Sequence, residues 1–203
     1  MAVLATDHKI VYIAGAFHDG STTISITSAG TEIKQDLQYH QEEADTRMLC
    51  HAMKADLTFA DKGIEGDIIL KSPDTDVVML AAHYFHQMVS TAHLWVGTEK
   101  LGLTTDHQRY IPIHEICHAI SPTLLKILPA VHALTGWDSV PSLYHIGKKI
   151  ALNVITAYGP EVFASLEDFG KNDLDTYIES GRKFVAALYD SKYQNKQAHE
   201  FRV

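Results

Sequence analysis

"GDIILKSPDTDVVML", residues 66–80, runs from an unbroken apolar stretch through Pro73 into a second apolar stretch, with Asp74 and Asp76 at the joint. A run of this length bounded by Gly66 and Pro73 reads as a strand buried on both faces of a parallel sheet. The following "VVMLAAHYFHQM" (77–88) reads as a helix. Strand, turn and helix in that order imply an α/β fold, and the two aspartates fall where open parallel sheets bind ligands, beyond the carboxyl end of a strand.

Working outward, "KIVYIAGAF" (9–17) and "TTISIT" (22–27) read as two strands around the turn residues "HDGS". From Glu42 to about Ala60, Met48, Leu49, Ala52 and Met53 recur at helical spacing behind an acidic first turn. Downstream, "HLWVG" (93–97) and "RYIPI" (109–113) read as strands, with a short helix over 114–120 before Pro122. After Pro129 the segments 146–158, 160–169 and 174–189 are helical, bounded by Gly and Pro. The expected organisation is an α/β domain over 1–130, a helical region over 131–190 and a polar tail over 191–203. The tail ends without a stop signal, as expected of a chain that continues in its parent protein.

The 203 residues are 46% apolar and 21% charged, ordinary globular usage. No apolar run has the length of a membrane span, so no membrane partner is expected. Two cysteines, Cys50 and Cys117, make no disulfide framework, which fits a reducing, intracellular compartment. A net charge of −8 argues against coating nucleic acid through a broad basic face. A carboxylate-lined cation site would contribute to that excess.

Three acidic groups sit at element junctions: Glu42-Glu43-Ala44-Asp45 at a helix start, Asp74-Thr75-Asp76 after the buried strand, and Asp138 in the turn "LTGWDS". Asp74 and Asp76 share a face only if the chain stays extended past Pro73. Glu43 and Asp45 face one site only if Glu43 lies at or before the helix cap. Oxygen ligands of this kind suit Mg²⁺ or Mn²⁺, and a pair of such ions can clamp the two oxygens of a phosphodiester displacement. The competing reading of each group is a helix cap, a turn or a dipole partner.

The order of these pieces resembles PIN-like nucleases of the flap endonuclease type, in which an E-A-E or E-A-D helix start precedes a strand ending in D-x-D and a G-x-D turn leads to a G-I-G-K-type helical hairpin. The matching segments are "EEADTRMLCHA" (42–52), "DIILKSPDTDVVML" (67–80) and "HALTGWDSVPSLYHIGKKIALNVI" (132–155). The pattern is closer still to mobile-element-associated animal proteins of this class, with E-E-A-D-T-R, S-P-D-T-D-V, R-Y-I-P-I-H-E-I and H-A-L-T-G-C-D motifs. The resemblance implies a mainly parallel, Rossmann-like sheet flanked by helices, lacking its first strand, followed by a helical region. It places metal-binding and catalytic carboxylates at Glu43, Asp45, Asp74, Asp76 and Asp138, serving two Mg²⁺ or Mn²⁺ ions. It further implies a grip on branched or flapped DNA through Gly147, Lys148 and Lys149, whose helix start offers amides and charge to phosphate. Lys71 and Arg47 are further candidates for phosphate neutralisation, or for pairing with a nearby carboxylate. The implied activity is metal-dependent, structure-specific phosphodiester hydrolysis by an incomplete copy acting in the nucleus; the alternative is an inactive PIN-like interaction or nucleic-acid-binding module. Two departures stand out: Trp137 replaces the usual Cys, and His145 replaces the first hairpin glycine, a position strained for any side chain if its φ is positive.

One motif competes. His114-Glu115-Ile116-Cys117-His118 spells the H-E-x-x-H box of zinc proteases, which needs a substantial helix and a third ligand. The helix between Pro112 and Pro122 is short, and neither His132 nor Glu161 is marked as that ligand. Because the resembling pattern already holds R-Y-I-P-I-H-E-I, the box arises from a single added His118, and zinc proteolysis is not expected.

Overall fold

Asp56, a polar residue in the middle of a helix, lies 1% exposed and ties that helix to a strand start more than thirty residues downstream. The computed structural model that shows this describes residues 9–15, 20–38, 44–98, 109–136, 143–167 and 174–190. The chain divides into two units, Met1–Pro112 and Ile113–Val203.

In the first unit, β1 (Val11–Ala14), β2 (Thr23–Thr27) and β3 (Gly30–Ile33) form an antiparallel sheet in that order. The Thr23 side chain is fully buried; its hydroxyl donates to the Leu37 carbonyl at 2.7 Å and its carbonyl accepts Lys34 N–H at 2.9 Å. These bonds fold the 3-10 turn Gln35–Leu37 back onto β2. Gly15, at φ +78°, closes the β1 end, and a Cβ there would overlap the guanidinium of Arg47. Arg47 belongs to α1 (Ala44–Asp61), whose buried face carries Leu49, Ala52 and Asp56.

The second sheet has the order β4 (Gly66–Lys71), β5 (Thr91–Gly97), β6 (Tyr110–Pro112). β4 and β5 are parallel, joined through α2 (Thr75–Phe85), and β5 and β6 are antiparallel. Parallel neighbours need such a crossover, and α2 supplies it. Ile68, Leu70, Leu94 and Val96 are buried on the face that α1 and α2 cover, together with Val77 and Ala81.

The architecture is α/β, and the expected mainly parallel sheet is corrected to two three-stranded sheets, of which only the β4–β5 pair is parallel. The first strands of the chain pair among themselves, β1 with β2 and β2 with β3, and among the described residues none of them joins β4. Burial of β4 on both faces is corrected too: Ile68 and Leu70 are buried, but Ile69 between them is 55% exposed.

The second unit holds α3 (Ile113–Ala119), α4 (Pro122–Thr135), α5 (Lys148–Tyr158), a 3-10 stretch Pro160–Leu166 and α6 (Leu174–Leu188). Phe163 and Phe184, both buried, meet edge to face at 5.4 Å in its core. The boundary expected at 130/131 would cut α4, and the division falls after Pro112. Pro122 sits at the helix start, where a missing N–H is harmless, behind Ser121, whose hydroxyl accepts Leu124 N–H at 3.2 Å. Pro129 lies inside α4 without ending it. Among the described residues no single helix is long and apolar enough to cross a membrane.

Candidate functional site

The Asp74–Asp76 joint lies at the carboxyl end of β4, where the sequence places it. Ser72, 7% exposed, fixes the approach: its N–H donates to the Gly97 carbonyl at 3.1 Å and its hydroxyl accepts Asp74 N–H at 3.1 Å. Asp74 keeps extended backbone angles (φ −82°, ψ 130°) and caps α2, accepting Asp76 N–H on its carboxylate at 2.9 Å. Helix begins at Thr75, so Asp76 leaves the strand geometry and the two side chains do not alternate down one extended face. The cap brings the Asp74 carboxylate to the Asp76 backbone amide instead. Asp76 is 8% exposed in the first turn of the helix, where its charge favours the dipole.

Asp45 is half-buried in the first turn of α1. Glu43 and Asp138 lie outside the described residues. Among the described residues no three His, Cys, Asp or Glu side chains stand close enough to hold one metal ion, so Asp45, Asp74 and Asp76 do not by themselves form a three-ligand group. The chemistry of the donor set still fits a hard cation, since every member is a carboxylate.

The proposed DNA-gripping element lies in the other unit. Gly147 caps α5 without a side-chain bond, and Gly147, Lys148 and Lys149 are exposed at the helix start. His145 has φ +58°, the one positive φ at a non-glycine among the described residues. The glycine-like turn is thus kept with a side chain in it, at a cost of roughly 1–2 kcal/mol. The Tyr144 ring packs against His145 at 3.9 Å, and Tyr189 Oη donates to the Tyr144 carbonyl at 3.1 Å, which holds the turn in place.

In the H-E-x-x-H box, α3 has seven residues; His114 is buried and Glu115 and His118 are exposed. No third ligand joins the two histidines among the described residues. Glu161 instead accepts the Thr123 hydroxyl at 2.6 Å. Burial pushes the thiols of Cys50 and Cys117 up, which makes both poor nucleophiles.

Two features escaped the sequence reading. Asp56 accepts Val89 N–H at 3.0 Å, Ser90 N–H at 2.8 Å and the Thr91 hydroxyl at 2.8 Å. Burial pushes its carboxyl up, and these donors more than offset that, holding it below the ordinary value. The second feature is an apolar pocket of about 410 Å³ lined by Leu49, Cys50, Met53, Leu80 and Tyr84, with the Lys54–Asp36 ion pair (2.8 Å) beside them. The helical spacing of Leu49 and Met53 was its only sequence signal, and that spacing reads as core. No family model, curated protein or solved structure matches the chain.

Proposed function

We propose that the chain is a metal-dependent, structure-specific nuclease of the flap endonuclease type that hydrolyses phosphodiester bonds in branched or flapped DNA in the nucleus. The observation that supports this reading is the β4–α2 joint: a D-x-D pair held at the carboxyl end of a parallel strand, with Asp76 enclosed in the helix's first turn and Asp74 pinned beside it. Asp74 and Asp76, with Glu43, Asp45 and Asp138, are the residues that would hold Mg²⁺ or Mn²⁺. Bound there, the ions supply Lewis acidity toward the phosphoryl oxygens and lower the pKa of water. The chain's own part is orientation: Ser72 fixes the Asp74 backbone, and the Asp76 amide fixes the Asp74 carboxylate. Lys148, Lys149 and the open start of α5 would take backbone phosphates, which positions a duplex without reading its sequence.

A second reading, an inactive PIN-like module that binds nucleic acid or protein, is favoured by the Asp74 carboxylate serving as a helix cap. One assay separates the two. Cleavage of flapped, nicked and single-stranded DNA and RNA is measured with Mg²⁺ or Mn²⁺, using the parent and Asp74→Asn with Asp76→Asn. The nuclease reading expects parental cleavage and a loss on the order of a hundredfold in the double variant. Binding of flapped DNA without cleavage establishes the module reading, and cleavage equal in parent and variant overturns the assigned site.

A further inference from the structure

Helix α1 carries more apolar surface than its buried face uses. Leu49, Ala52 and Asp56 make that face, whereas Leu49, Met53 and Leu57, at i, i+4 and i+8, form a second stripe beside it. Leu57, at the end of the stripe, remains 53% exposed. Leu80 and Tyr84, one turn apart on α2, line the same cavity, and Asp36 of the Gln35–Leu37 turn adds a third wall. The cavity measures about 410 Å³, within the roughly 300–1,000 Å³ usual for small-molecule sites. Its described lining residues all belong to the first unit, and the β4–α2 joint contributes none of them.

We propose that this pocket binds an uncharged, largely apolar small molecule that carries a ring system. The lining selects that class. Its walls are aliphatic side chains, the thioether of Met53, which adapts to irregular shapes, and the Tyr84 ring, which favours a ring beside it. Its charged groups among the described residues, Asp36 and Lys54, are already joined at 2.8 Å. A charged ligand would have to break that pair or sit against apolar walls without a partner, and an uncharged one leaves the pair intact. Thr46 adds a hydroxyl for one ligand hydrogen bond. A sphere of the cavity's volume is about 9 Å across, narrower than the roughly 10–12 Å of a helix with its side chains, so a partner helix does not enter whole.

N-phenylnaphthylamine, an uncharged probe that fluoresces in apolar surroundings, tests this on the whole chain and should bind saturably, one per chain. Anilinonaphthalene sulfonate, with the same rings and an added negative charge, should bind about tenfold more weakly or worse. Cys50 lines the pocket and Cys117 lies in the other unit, so alkylation by N-ethylmaleimide, read at each cysteine by mass spectrometry, locates the probe. At tenfold over its dissociation constant the uncharged probe should slow Cys50 about tenfold and leave Cys117 unchanged. Leu57→Glu puts a carboxylate into the wall at an exposed position and should weaken the probe about tenfold or more, whereas Leu57→Met should stay within about twofold. Urea midpoints of both variants should lie close to the parent's, which separates lost binding from misfolding. The proposal is overturned by no saturable binding, by an unprotected Cys50, by equal binding to Leu57→Glu, or by a sulfonate that binds as tightly. A Cys50 that resists alkylation before any probe is added, while Cys117 reacts, overturns it too, since polypeptide then fills the pocket.

Discussion

The two ends of the parallel β4–β5 pair both carry aspartates, and they use them differently. At the amino end Asp56 reaches from α1 to three donors on the Val89–Thr91 segment and is 1% exposed. At the carboxyl end Asp74 is half-buried, and among the described residues its carboxylate receives only the Asp76 amide. A carboxylate offers about four lone-pair positions. Asp56 has most of them occupied by protein, and its work is to hold α1 to the start of β5. Asp74 keeps capacity for a further ligand. Counting donors thus separates an aspartate largely satisfied by the fold from one that keeps unfilled acceptor positions.

The largest effect should come from the amino end. Asp56→Ala strands three donors and should lower stability by about 3–5 kcal/mol, read from urea midpoints. Since its folded pKa is depressed, the Asp56 contribution is complete above the ordinary value of 3.8 and is lost as pH falls through the lower folded value. The midpoint gap between the parent and Asp56→Asn should therefore be constant near neutrality and shrink below pH 3.8. If the carboxyl end has ligand capacity, Mg²⁺ or Mn²⁺ at a hundredfold over its dissociation constant should stabilise the parent by about 2.7 kcal/mol, and Asp76→Asn much less, in a thermal melt. Asp74→Ala removes a cap and should cost about 1 kcal/mol, whereas Asp74→Asn, which still caps, should lie within a few tenths. A loss in Asp74→Asn as large as in Asp56→Ala would erase the contrast. The smallest effect belongs to Asp36→Asn, which breaks an exposed pair with Lys54 and should change stability by about 0.5 kcal/mol or less.

The β4–α2 joint was legible because its signals agree: an apolar run, Pro73, an aspartate cap and a second apolar run. What pattern could not convey was how many sides would be covered, since a run like "DIILK" looks the same with one face exposed as with both buried. β3 left no trace because all four of its residues are exposed and nothing alternates. The start of α4 was hidden by its prolines, which read as breakers until Ser121 is seen to cap the helix and Pro122 to open it. Asp56 resembles any solvated residue of a helix, and its partners are 33 to 35 positions away, beyond the range of local pattern. The strain at His145 was anticipated, since a side chain there meets a positive φ.

The contact between Gly15 and Arg47 bears on how this sequence can change over generations. Any side chain at position 15 would displace the guanidinium and would also have to tolerate φ +78°, so mutations at that site are rejected on two counts while Arg47 stays. Relatives of this chain should show the two positions covarying, with a larger residue at 15 only where 47 has shortened. The hairpin and α1 would then be inherited as a matched pair.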